Sequence, residues 1–243
     1  YDRESGEEKF KLSGNENSVM KVKFSKDGKF IASAGRDGSV RLFSMQNGRQ
    51  VSVYRCSNGS AGGIAFSNKG DILAAICENG DTALLSVSSL SVEKLIRKNG
   101  KKPESISFFM DDRKIITGYQ DRSIFITDLE NNSETELSGH TDAIKEIGVS
   151  DDGKYAVTAS SDLTVKLWDI NESKPLLTIP VSKDPGCAFF VPDEKYIAVC
   201  DGGTLKLYPM QFSDIEMDPK VLLEKMEKEA GVRLKDFYLE AEM

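Results

Sequence analysis

The chain of 243 residues is 39% hydrophobic and 29% charged, enough apolar material for a core in one large or two small domains. A formal net charge of −7 weighs against wholesale binding to phosphate backbones. No run of eighteen apolar residues predicts a membrane span, and YDRESGEEKFKLSG at the start does not read as a signal peptide.

Residues 13–44, SGNENSVMKVKFSKDGKFIASAGRDGSVRLFS, read as three short strands separated by turn residues. A looser strand follows in RQVSVY. Residues 62–86 repeat the order: Phe-Ser, a Gly turn, an apolar strand, an Asn-Gly turn and another strand. Between them, SNGSAGG (57–63) could cradle a phosphate but reads better as a flexible connection. The segment KLIRKNGKKPES (94–105) places Lys94, Arg97, Lys98, Lys101 and Lys102 together in an otherwise acidic chain. It reads as a solvated face or as a docking patch for an acidic peptide or phosphate. Residues 105–128 form a third copy. The fourth, SGHTDAIKEIGVSDDGKYAVTASSDLTVKLWD (138–169), aligns with 13–44 without a gap, 125 positions later. Residues 186–208 form a fifth, so self-similarity at a period of about 42 governs the chain.

Four strands per repeat, with Gly-His about thirty residues before Trp168-Asp169, resembles the WD40 family of β-propellers. The resemblance implies an all-β propeller of four-stranded blades, each repeat contributing strands in the order d-a-b-c. A strand c/d remnant would occupy 1–12. Repeats would follow at about 13–54, 55–97, 98–137, 138–180 and 181–208. YDRESG (1–6) matches FSMQNG (43–48) at the same offset, so the chain starts inside a repeat. Part of a seven-bladed propeller is expected; the alternative is a five-bladed ring closed by residues 7–12.

The resemblance also implies a hydrogen-bonded tetrad: His140 in the d–a loop, Thr158 or Ser160 on strand b, Asp162 in the b–c turn and Trp168 on strand c. The carboxylate can orient the imidazole, whose other nitrogen pairs with a hydroxyl that accepts the indole N–H. A catalytic triad would need an exposed nucleophile and an oxyanion hole, and nothing in the sequence marks either. One histidine leaves too few ligands for a metal site, and no cofactor is expected. In the other copies the histidine becomes Asn15 and the tryptophan becomes Phe43, Leu85, Thr127 or Tyr208. Those blades are expected to rely on apolar packing.

Cys56, Cys77, Cys187 and Cys200 are scattered without a C-x-x-C pair and are expected to be buried reduced thiols, pointing to cytosol or nucleus. The sequons at Asn58, Asn131 and Asn171 read as turns. The acidic pairs Asp111-Asp112 and Asp151-Asp152 fall in a–b turns on the opposite rim. Residues 209–243 break the period. Asp218 as N-cap, Pro219 at N1, the face of Leu222, Leu223, Met226 and Ala230, and Gly231 as C-cap predict a helix over 219–230. Val232 to Leu239 is expected to be extended. The helix caps the propeller or binds a partner.

No nucleotide-binding or hydrolase motif appears. The resemblance implies a non-catalytic scaffold that binds peptides or proteins and assembles a multiprotein complex. By position, Glu16, Ser18, Arg36, Thr141, Ala143 and Ser161 are candidate contacts, with Lys98, Lys101 and Lys102 from the basic segment. The alternatives are a nucleic-acid- or phosphate-binding propeller using 94–102, and a propeller enzyme.

Overall fold

The computed structural model describes residues 7–98, 100–191 and 195–210. The expected helix at 219–230 and the extended segment after it lie outside them.

Short β-branched and aromatic runs, punctuated by turn residues, become antiparallel strands paired with their sequence neighbours. The first blade holds β1 (Val19–Phe24), β2 (Phe30–Gly35), β3 (Ser39–Ser44) and β4 (Gln50–Arg55). The second holds β5 (Ala61–Phe66), β6 (Ile72–Cys77), β7 (Asp81–Ser86) and β8 (Val92–Arg97). The third holds β9 (Pro103–Phe109), β10 (Lys114–Tyr119), β11 (Ile124–Asp128) and β12 (Glu134–Leu137). The fourth holds β13 (Ile144–Val149), β14 (Tyr155–Ser160), β15 (Thr164–Asp169) and β16 (Lys174–Pro180). Three strands of a fifth are described: β17 (Ala188–Phe190), β18 (Tyr196–Asp201) and β19 (Thr204–Pro209). The first strands of successive blades, β1, β5, β9, β13 and β17, stand beside one another in that order.

The a–b turns show why the repeats align. In the first blade Asp27 accepts from Ser25 Oγ at 2.7 Å and from the Lys29 N–H at 3.0 Å, and Gly28 takes a φ of 68°. Ser150, Asp152, Gly153 and Lys154 rebuild the same turn in the fourth blade. The third blade has no glycine there. Met110, Asp111 and Asp112 all take positive φ, and the Asp112 carboxylate accepts the Asn68 and Lys69 N–H groups of the second blade. Backbone strain is thereby offset by two charge-assisted hydrogen bonds between blades.

The core lies between blades. Leu42 and Val40 meet Leu73 and Leu85; Ile76 and Leu84 meet Ile106 and Phe108. Ile116 and Ile124 meet Ile144 and Trp168; Leu167 and Val165 meet Ile197 and Val199. In the first two blades strands b and c are covered on both faces, which is why β2 and β6 read as nearly unbroken buried runs instead of alternating ones. Close approach sets one glycine: a Cβ on Gly118 would fall 2.4 Å from Ile144 Cγ2.

The cysteines correct the sequence expectation. None is a free thiol: Cys56 pairs with Cys77 and Cys187 with Cys200. Sequence spacing hid this, because strand register makes the neighbours. Cys200 donates its N–H to the Cys187 carbonyl, so the two stand opposite each other at a Cα separation of 5.1 Å. Cys56 follows β4 and reaches the end of β6, joining the first blade to the second. The ground for a reducing compartment falls with the free thiols. Thiol titration of the native protein should find no free thiol. The double change Cys56→Ser/Cys77→Ser should lower unfolding free energy by about 3 kcal/mol through the restored freedom of the loop in the unfolded chain, and reduction, which also opens Cys187–Cys200, should lower it further. Denaturant unfolding with and without dithiothreitol measures it; coincident curves would contradict the covalent joint.

Candidate functional site

The d–a loops and b–c turns share one rim, because strand a begins where strand b ends. The fourth blade builds this rim from a polar chain. His140 Nδ1 lies 2.8 Å from Asp162 Oδ2 and Nε2 lies 2.7 Å from Thr158 Oγ1, while Trp168 Nε1 donates to the same oxygen at 2.8 Å. Thr158, not Ser160, is the hydroxyl in the chain. Ser160 Oγ instead donates to the Asp142 carbonyl and accepts the Asp162 N–H. With Nδ1 protonated, the imidazole donates to Asp162 and accepts from Thr158, which leaves the threonine lone pairs for the indole.

Burial disfavours charging His140 and outweighs the pull of Asp162, so its pKa falls below 6.5. Burial would raise Asp162. Hydrogen bonds from Thr164, the Thr141 N–H and His140 outweigh that and hold it at about 2.

The other blades tie loop to turn with different residues, which corrects the expectation that only apolar packing would hold them. In the first blade Asn15 stands at the histidine position. It donates to Ser39 Oγ at 3.1 Å and accepts from Ser33 Oγ at 3.0 Å, while Asp37 accepts from Ser39 and from the Glu16 N–H. The 125-residue offset already placed Asn15, Ser33, Asp37 and Ser39 over His140, Thr158, Asp162 and Thr164, so the signal was present. In the second blade Asn79 donates to Ser57 Oγ; in the fifth Asp201 accepts from Ser182. In the third, Lys101 reaches the Asp121 carboxylate and Ser123 Oγ.

The basic segment is thus bound internally. Lys98 pairs with Glu134 and lies 4.4 Å from the Phe125 ring centre; Lys102 pairs with Glu78 at 3.2 Å. Arg97 approaches Asp81, and Lys94 donates to the Leu129 carbonyl.

Of the candidate contacts, the backbone pairs Arg36 with Ser18 and Ser161 with Ala143, one pair per matching blade. The Glu16, Ser18, Arg36 and Thr141 side chains are exposed. Ala143 is buried, and Ser161 Oγ donates to the Asp184 carboxylate. A cleft of about 500 Å³ lies among the inner strands, lined by Lys21, Ser107, Glu146 and Phe189 among others. Lys21 of β1 and Glu146 of β13 pair beside it. Among the described residues no cluster of His, Cys, Asp or Glu could hold a metal ion, and no helix is long and apolar enough to cross a membrane.

A family model described as "WD domain, G-beta repeat" matches residues 6–44 and 131–169, the regions of the first and fourth blades. "WD repeat-containing protein SL1-17" of Schistosoma mansoni is 26% identical over 70% of this chain and 56% of its own length. "Serine-threonine kinase receptor-associated protein" of Gallus gallus is 29% identical over 81% of this chain and 57% of its own. "Eukaryotic translation initiation factor 3 subunit I" of Mycosarcoma maydis is 22% identical over 79% of this chain and 74% of its own. The chain thus spans little more than half the length of the first two relatives.

Removing the indole N–H by Trp168→Phe should cost about 1–3 kcal/mol in a chemical melt, while circular dichroism keeps its β spectrum. The histidine adds a pH signature. Its folded pKa lies below the unfolded value, so its stabilising share is present above about pH 6.5 and is lost as pH falls, because the unfolded chain protonates first. His140 is the one histidine of the chain. His140→Asn, copying the first blade, should therefore flatten stability between pH 6.5 and 5. A slope unchanged from wild type would sink this assignment.

Proposed function

Because the chain belongs to the WD40-repeat family, whose members act in general as protein-interaction scaffolds, we propose that it is a non-catalytic platform binding proteins or peptides through its loop rim. One observation carries the reading. Along this rim the Glu16 and Thr141 N–H groups are anchored on the Asp37 and Asp162 carboxylates, while Glu16, Ser18, Arg36 and Thr141 keep their side chains exposed. Anchored loops bind at low ordering cost, since little backbone freedom is lost on association.

The arrangement gives an enzyme little to use. The imidazole is fully covered and held on both nitrogens, so no substrate proton reaches it. An anion- or nucleic-acid-binding role has less support, because Lys98, Lys101 and Lys102 already face carboxylates within the fold. Assembly into a multiprotein complex is part of the proposal; similarity to a protein named as an initiation-factor subunit is consistent with it.

Affinity capture from the native source, read by mass spectrometry, tests the rim. The combined change Glu16→Arg/Arg36→Glu/Thr141→Arg should abolish capture of specific partners and leave the melting temperature within about 2 °C, as expected for exposed sites. Undiminished capture would remove the rim as the binding site. Lys101→Glu should act differently, lowering stability by about 1 kcal/mol or more through repulsion with Asp121.

A further inference from the structure

In every b–c turn the residue after the turn side chain takes a left-handed backbone. Its φ is 75° at Gly38, 97° at Gly80, 71° at Arg122, 64° at Leu163 and 58° at Gly202. Leu163 fills the same backbone place as the first two glycines. Its N–H donates to the Ser160 carbonyl and its own carbonyl accepts the Val181 N–H. Gly38 likewise donates to Gly35 and accepts from Cys56, and Gly80 donates to Cys77 and accepts from Lys98. Close approach forbids a side chain at those two: a Cβ would fall 2.7 Å from the Gly59 oxygen or 2.4 Å from the Lys98 oxygen. The third and fourth blades carry one, against the preference of any residue with a Cβ.

That strain returns nothing to the core. Leu163 is 43% exposed and belongs to neither cluster around its blade. The fourth blade has a neighbour on each side, with β9 and β17 beside β13, so this is not the exposure of an end blade. Arg122 is exposed too, and among the described residues its side chain makes no hydrogen bond or ion pair. The carboxylates nearby are already engaged: Asp121 by Lys101, Asp162 by His140 and Thr164, Asp184 by Ser161.

We propose that Leu163 and Arg122 are the specificity-determining side chains of the loop rim, and that they take a protein segment presenting an apolar side chain beside a carboxylate. Backbone strain kept at an exposed position marks a residue held for contact with a ligand. The hydrogen-bonded turn holds the leucine in place before binding, which lowers the ordering cost. A guanidinium with no acceptor in the fold matches a carboxylate from outside it. The proposal rests on the rim reading and names the chemistry of its partner.

The probe is a phage-displayed library of random twelve-residue peptides selected on the full chain, with enriched sequences resynthesised and measured by fluorescence anisotropy. One enriched family should combine an apolar residue with Asp or Glu. Leu163→Gly should weaken it roughly tenfold or more while the melting temperature holds or rises, because glycine relieves the turn. Arg122→Gly should weaken it several-fold, with the loss greatest at low salt. A melting temperature that falls on Leu163→Gly assigns the leucine to the fold and overturns the proposal. Affinity indifferent to both changes, or a selection that enriches no such family, overturns it as well. The rim reading is judged apart: peptides lost with Glu16→Arg/Arg36→Glu/Thr141→Arg but kept by Leu163→Gly leave the rim standing and remove only this assignment.

Discussion

Each blade depends on one short-range interaction, the tie from the loop before its first strand to the turn after its second. The turn side chain, Asp37, Asn79, Asp121, Asp162 or Asp201, hydrogen-bonds the backbone or a hydroxyl of its own turn, or a group on the incoming loop, and most do both. The loop partner varies from the Glu16 N–H to Ser57, Lys101, His140 and Ser182. What stays constant is a polar acceptor placed where strand a must begin. This fixes the register of strands a and b, and a one-residue slip there would turn every apolar side chain to the wrong face.

With register set, packing follows from side-chain size. Ala32, Ala34, Ala74, Ala75, Ala83 and Ala156 are fully buried in the central strands, while Leu42, Leu73, Ile116 and Leu167 fill the space between sheets. Small residues let neighbouring blades come close, and larger ones lock them at native density. Trp168 stands in both systems, fully buried against the third blade and hydrogen-bonded to Thr158. Removing it opens a cavity and strips a polar partner at once.

The architecture was legible because the repeat is a pattern of turn residues and apolar strands, both local in sequence. The His140–Asp162–Trp168 constellation was legible for the same reason, since the family motif sits at fixed spacing. The Asn15 network was readable only through the alignment with His140, because an asparagine carries no signature of its own. The pairing of Cys56 with Cys77 was not readable, because it depends on two strands of different blades meeting. The internal partners of Lys98 and Lys101 were hidden likewise: a run of cations looks the same in sequence whether water or Glu134 and Asp121 face it.

The covalent joint between the first two blades has a mechanical side. The bond from Cys56 to Cys77 closes a ring of chain that contains all of β5 and β6. Tension applied through the flanking chain passes across the sulfur bridge and bypasses those two strands. A machine that unravels proteins by threading them through a narrow pore would meet this loop as a doubled strand, too wide for a passage that admits one. Its progress from either end would stop at the same bridge until a thiol opened it.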